Sequence, residues 1–171
     1  MTDSQAFAEL IQPHLAKLYR LAYRWTGTVP DAEDLVQDVL VKLYERRTEL
    51  ASIAALGSWS ARVLYNRFLD ETRSVARRRL VPVDAATAER LAVDAAEAAA
   101  VTPHWLDIKN LARGLAQLSL EHRTVLLMHD ADGYKLEEIQ EITGIPTGTV
   151  KSRLHRARAR LRELLGGNGT F

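Results

Sequence analysis

A chain of 171 residues, 47% of them hydrophobic, can form one medium-sized domain or two small ones. It contains no cysteine, which excludes a disulfide framework and a thiolate-ligated metal; with neither a signal-peptide start nor the ~18–20 apolar residues that span a bilayer, a cytoplasmic protein without membrane insertion is expected. The formal net charge of +1 hides two basic patches, because residues 61–80 and 141–171 each carry +4 while the remaining stretches are acidic. That layout points to two polyanion contacts, with acidic surface left for a protein partner.

Few Gly and Pro among abundant Ala, Leu, Glu and Arg favour helix throughout. The first helical pattern runs from Ser4 to Trp25 and puts Phe7, Leu10, Ile11, Leu18, Ala22 and Trp25 on one face, with Pro13 expected to kink or restart it and Gly27 to end it. The next helix opens at Pro30-Asp31, with Asp31 as its expected N-cap and Glu33 and Asp34 favouring the positive end of the dipole. Leu35, Val39 and Leu43, with Val36 and Leu40 beside them, make its core stripe. A loop is expected over residues 49–57, and then a helix capped by Ser58 that runs through Trp59, Val63, Phe68 and Leu69 into Arg77-Arg78-Arg79.

The character changes after that arginine run. The Ala-rich, weakly acidic string around residues 81–101 has only Leu91 and Val93 as bulky apolar anchors in its middle, and reads as a mobile linker. Helices resume over Ile108–Gln117 and after a cap at Ser119. Residues 133–165 then carry the densest signal: a helix over Leu136–Thr143, Gly144 as its stop, Pro146 at the opening of a second helix, and an apolar seam of Val150, Leu154, Ala157, Leu161 and Leu165. Lys151, Arg153, Arg156, Arg158, Arg160 and Arg162 fill the other faces, which is the pattern of a helix-turn-helix whose second helix enters the DNA major groove. The expected fold class is all-α: two small helical domains at 1–79 and 107–165, a flexible linker at 80–106 and a flexible tail at 166–171. There is no internal repeat, and the five histidines are too scattered to favour a metal site.

Three strings in fixed order, DAEDLVQDVLVKLY (31–44), SWSARVLYNRFLDETR (58–73) and GIPTGTVKSRLHRARARL (144–161), resemble the sigma-70 family of bacterial RNA polymerase initiation factors. More narrowly they resemble its extracytoplasmic function group, which keeps only regions 2 and 4; the linker is too short for the middle domain of larger members. The resemblance implies that the neighbourhood of Asp34, Leu35, Gln37 and Asp38 docks on the clamp helices of the largest polymerase subunit, and that the flap of the second large subunit is a further contact. The i, i+3, i+4 spacing puts Asp34, Gln37 and Asp38 on one helix face.

It implies too that the helix carrying Trp59, Arg62, Asn66, Asp70 and Arg73 reads and melts the -10 element, with the preceding loop capturing an unstacked base. Asn reads base edges and Arg holds phosphate, whereas Trp59 and Phe68 at helical spacing also fit a core role. In the second domain the resemblance assigns -35 recognition to the exposed face of the basic helix, with Thr147, Thr149, Lys151, Ser152, His155 and Arg156 as contacts. Core polymerase, promoter DNA and an anti-sigma factor are the implied partners; no cofactor is required and the polymerase makes the bonds.

Two departures bear on the helix pair. Lys135 stands where the family has a capping Ser or Thr, so a cap worth roughly 1 kcal/mol is expected to be missing; Gln140 stands in the tight crossing of the two helices, where the family has a small residue, which puts the crossing angle in question, and Thr143 replaces a usual aliphatic. A stand-alone helix-turn-helix regulator and a sigma-like decoy for an anti-sigma factor are the rival readings. An enzyme is remote, because no nucleophile–base pairing, Gly-rich phosphate loop or metal spacing asks for one.

Overall fold

The computed structural model describes residues 3–78 and 105–166. The expected linker and tail, with Arg79, therefore lie outside the described residues, apart from Trp105, Leu106 and Gly166. All regular structure among the described residues is helical, and the chain divides into two units.

The first unit is built on α1 (Asp3–Thr26), α2 (Val29–Glu45), α3 (Arg47–Leu50) and α4 (Leu56–Arg78). Ile11, Leu18, Leu21, Ala22 and Trp25 bury one face of α1 against α2. Pro13 lies within this helix and does not restart it. Its missing N–H removes the bond to the carbonyl of Glu9, and both residues are exposed, so water can take that carbonyl instead. The helix stops at Gly27, which adopts φ 82° and donates its N–H to the Tyr23 carbonyl at 2.8 Å.

The cap of α2 also differs from expectation. Thr28, not Asp31, is the N-cap: its Oγ1 accepts the Asp31 N–H at 3.2 Å, and its hydroxyl donates to Asp31 Oδ2 at 2.6 Å. Thr28 and Asp31 thus hold each other three residues apart at the helix start, with Pro30 inside the first turn where no N–H is needed. Ala32, Leu35, Val36, Val39 and Leu43 then form the buried stripe.

The loop expected over 49–57 shrinks to residues 51–55, because α3 fills one side and α4 begins two residues ahead of Ser58. The Trp59 N–H donates to the Ala55 carbonyl at 2.9 Å, closing the first turn of α4, so Ser58 lies in that turn and is not the cap. Trp25 joins α1 to α4: its ring stacks on Phe68 at 5.6 Å and meets Tyr65 edge-on at 5.4 Å. Phe68 is buried there, which gives it a core role and withdraws it from base stacking.

Residues 105–166 form α5 (Trp105–Ala116), α6 (Leu120–Leu126), a π-helical turn at Leu127–Ala131, α7 (Leu136–Thr143) and α8 (Thr147–Leu164). Ser119 caps α6, accepting the His122 N–H at 3.3 Å. The π turn was not foreseen; its wider turn shows in the Asp132 N–H donating to the Leu127 carbonyl at 3.0 Å, five residues back. Boundaries of α7 agree with the sequence reading, and Gly144 at φ 74° takes the left-handed conformation expected of the stop. In α8, Val150, Leu154, Ala157 and Leu161 are buried, and the helix packs on α6 and α5.

Thr28 gives a direct test of this capping scheme. Thr28→Ala is expected to lower the free energy of unfolding by about 1 kcal/mol in urea titration, and Thr28→Gly by only a few tenths. Equal values for wild type and Thr28→Ala would contradict the cap.

Candidate nucleic-acid interface

The basic helix α8 is two-sided by construction. Its apolar residues at 150, 154, 157 and 161 fall on one face, so the residues in between must point to the margins or away from the domain. The margins are claimed by acids of the same unit. Arg153 reaches Glu121 of α6 at 2.8 Å. Arg158 forks onto Asp130 of the π turn, Nε donating to Oδ2 at 2.9 Å and Nη2 to Oδ1 at 2.5 Å. His129 Nδ1 lies 2.7 Å from the same Oδ1, making a three-member cluster. Near the end of the helix Arg160 pairs with Glu163 at 3.0 Å.

The cations left are Lys151, Arg156 and Arg162; each is exposed and none has an ion pair among the described residues. Thr149, Ser152 and His155 are exposed on the same outward side, Thr147 is half-buried, and Ser152 Oγ donates to the Thr149 carbonyl at 2.9 Å. Five of the six side chains assigned to the -35 element by resemblance are thus exposed on α8, and Thr147 is half-buried at its start. Arg162 was not in that set, although its position four turns down a helix with 3.6 residues per turn could have placed it there.

The start of α8 shows how the two departures are absorbed. Lys135 acts as the N-cap residue of α7, its carbonyl accepting the Ile139 N–H at 3.0 Å. It offers no side-chain acceptor, but Glu138 Oε2 accepts the Lys135 backbone N–H at 2.8 Å, which is the reciprocal half of a capping box. Gln140 is not crowded into the helix crossing. It is exposed, and its Oε1 accepts the Thr147 N–H at 2.9 Å, at the first position of α8. Pro146 is the N-cap of that helix rather than its first residue, and makes no side-chain cap.

On α4, Arg62, Asn66, Asp70 and Arg73 are exposed along one stripe, opposite the buried Ala61, Leu64, Tyr65 and Phe68. Arg73 Nη1 and Asp70 Oδ1 are 3.9 Å apart, a loose pair that leaves both side chains in solvent. Trp59 is half-buried at the head of the stripe, with the Arg46 guanidinium 5.4 Å above its ring. Arg46 was missed in the sequence; a lone Arg before a loop gives no sign that it will stack on an aromatic thirteen residues away.

The acidic helix α2 divides the docking set. Asp34 and Gln37 are exposed, and Asp38 is held by Arg67 of α4, whose Nε donates to Oδ2 at 3.0 Å. Arg67 also reaches Glu71 at 3.0 Å, and its charged state is favoured above all by the bond to Asp38. Burial pushes the Glu71 carboxyl above its ordinary value, with Arg67 opposing. Leu35 departs from the expected docking set: at 0% exposure it is core, beneath the face that exposes Asp34 and Gln37.

Residues 10–79 match the family model described as Sigma-70 region 2, and residues 108–161 that described as Sigma-70, region 4. The chain is similar to the ECF RNA polymerase sigma factor SigM of Mycobacterium tuberculosis (strain ATCC 25618 / H37Rv), 33% identical over 96% of this chain and 79% of the relative. It is similar to the ECF RNA polymerase sigma factor SigW of Bacillus subtilis (strain 168), 31% identical over 95% of this chain and 90% of the relative. Among solved structures, it resembles the sigma factor RpoE in complex with the anti-sigma factor NepR from Bartonella quintana, with a TM-score of 0.66 and 26% identity over 95% of this chain and 98% of that one. No helix among the described residues is long and apolar enough to cross a membrane.

The Asp130–Arg158 fork carries a pH signature. Its hydrogen bonds to Arg158, with His129 adding to them, hold the Asp130 carboxyl below its ordinary value of 3.8. Between the lowered folded value and the ordinary one the unfolded chain binds more protons, so stability rises with pH there and the contribution is lost as pH falls through the folded value. Both partners are partly exposed, so at neutral pH the loss in Asp130→Asn is expected to be no more than about 1 kcal/mol. The sharper expectation is a shallower decline of the thermal midpoint below about pH 4 in Asp130→Asn than in the wild type. Parallel declines in the two proteins would mean that the fork does not form.

Proposed function

The chain belongs to the sigma-70 family, in its extracytoplasmic function group, and from that premise we propose how its two helical units divide the work. The protein is a transcription initiation factor that binds core RNA polymerase and directs it to promoters. The observation that carries the division is the selective neutralisation on α8: acids of its own domain claim Arg153, Arg158 and Arg160, while Lys151 and Arg156 stand exposed beside Thr149, Ser152 and His155. Such a stripe suits a helix lying in the major groove, with the cations on phosphates and the shorter polar groups at base edges. In this reading α8 holds the -35 element, with Thr147 at the entering end.

The stripe of α4 takes the -10 element. Asn66 supplies amide donors and acceptors for base edges, Arg62 and Arg73 supply phosphate contacts, and Asp70 lies beside Arg73. Trp59, half-buried under Arg46, presents part of an aromatic face beside the 51–55 loop, where an unstacked base is captured. On α2 of the same unit, Asp34, Gln37 and Asp38 form the acidic docking face for the polymerase clamp, where complementary charge sets register and encounter rate. The two units and the chain between them fit the role of a factor that grips polymerase while touching DNA twice. An anti-sigma factor is a natural regulator, since the RpoE neighbour was solved in complex with one. A stand-alone regulator has no use for a region 2 match over residues 10–79, so that reading is not favoured.

Run-off transcription with purified core polymerase tests the function. This protein is expected to confer initiation at a cognate promoter; tight DNA binding by the protein alone with no initiation across a promoter library would sink the reading. For the division of labour, Lys151→Ala and Arg156→Ala are each expected to weaken holoenzyme binding to promoter DNA and to lower the salt-dependence slope by about one. Arg153→Ala, whose partner is Glu121, is expected to change that slope far less. Equal slopes for all three variants would refute the proposed stripe.

A further inference from the structure

We propose that Gln140 is a positioning residue for DNA reading, acting through the backbone of Thr147. The inference rests on α8 being the -35 reader. A helix leaves its first amides without intrahelical acceptors, and an N-cap side chain normally takes one of them. The N-cap of α8 is Pro146, which has no side-chain acceptor, so the helix cannot cap itself. Gln140 supplies the missing acceptor from the preceding helix: its Oε1 takes the Thr147 N–H at 2.9 Å across the turn that contains Gly144. Only the amide oxygen can accept an N–H, so this bond also fixes which way the carboxamide is turned.

The consequence is geometric. α8 is held along its length by Val150, Leu154, Ala157 and Leu161, but the first buried residue of that seam is three positions past Thr147. Ahead of Val150 the helix has Thr147, Gly148 and Thr149, and Gly148 contributes no side-chain packing. The Gln140 bond is the single side-chain cap on these residues among those described. Thr147 and Thr149 stand in this turn, so the direction in which they meet the groove is set by the cap. The bond is exposed, so it is placed to govern orientation more than global stability.

A double-mutant cycle on holoenzyme tests this. The probes are a fluorescent duplex selected from a random-sequence pool by the wild-type holoenzyme, and a scrambled duplex of equal length. Gln140→Met keeps the side-chain length and loses the acceptor; it is expected to weaken binding to the selected duplex about fivefold, the equivalent of one lost helix cap, with scrambled-duplex binding unchanged. Thr147→Pro removes the N–H while fitting a first helical position, so on that background Gln140→Met is expected to have no further effect. Wild-type affinity in Gln140→Met, alongside a clear loss in Lys151→Ala, would overturn the inference and leave the functional reading intact. A loss of equal size on the Thr147→Pro background, or on both duplexes, would also overturn it by pointing to a general structural role. Failure of the wild-type holoenzyme to select any sequence would overturn the functional reading, and the inference with it.

Discussion

A helix with six cations between residues 151 and 162 must still be held to its own domain, and the way this is done decides what the rest of its surface can do. The apolar seam at Val150, Leu154, Ala157 and Leu161 supplies the attraction. Charge settles the rotation. Arg153 and Arg158 emerge on opposite margins of the seam, and each meets an acid from a separate element, Glu121 on α6 and Asp130 in the π turn. Exposed pairs of this kind contribute only about 0–1 kcal/mol each, so they do not explain why α8 binds its domain. They do oppose rolling of the helix, because rotation either way would separate one pair. The outward stripe therefore has a fixed direction, and its charge is what remains after the margins have been neutralised.

The first unit follows a related logic with the opposite sign. Its α2 carries a surplus of acid, and Arg67 from α4 neutralises one member, Asp38, while the Asp34 carboxylate stays exposed. Arg67 lies between Asn66 and Phe68, so a single segment of α4 serves three directions: Asn66 outward, Arg67 toward α2, and Phe68 into the Trp25 stack. The proposed DNA stripe and the proposed polymerase face are thereby held in a common frame by neighbouring residues. Leu35 belongs to that frame, since its burial anchors the helix whose exposed side carries Asp34 and Gln37.

What the sequence made legible was mostly what repeats along one element. The period of the α8 seam, the Leu136–Thr143 helix and the Gly144 stop all follow from residues close in sequence, and so does the α2 stripe. What it hid depends on a second element or on a choice between adjacent caps. Thr28 and Asp31 are both good cap residues, and the sequence alone does not say that Thr28 bonds the Asp31 amide while Asp31 turns back to the Thr28 hydroxyl. The π segment inserts a wider turn within a run that reads as uniformly helical, and it is this turn that brings Asp130 to Arg158. Candidate contacts on α4 and α8 were readable as faces, but which cations remained available was not, because Glu121 and Asp130 are far away in sequence.

Lys135 and Gln140 show why a departure from a family pattern is a poor guide to weakness when each position is judged separately. Lys135 removes a side-chain acceptor from the start of α7, and Glu138 answers by taking the backbone N–H of Lys135 itself. Pro146 provides no side-chain cap at the start of α8, and Gln140 answers from the preceding helix. Both compensating groups belong to α7, an eight-residue helix whose apolar positions Ile139 and Ile142 are buried. Its polar positions are therefore not spare surface: Glu138 terminates its own beginning and Gln140 terminates the beginning of the next helix. A small residue at 140 would relax any demand on the helix crossing, but it would leave the Thr147 amide to water or to DNA. In this chain the turn is closed by its own side chains, so the first turn of the proposed reading helix has a defined orientation in the absence of DNA.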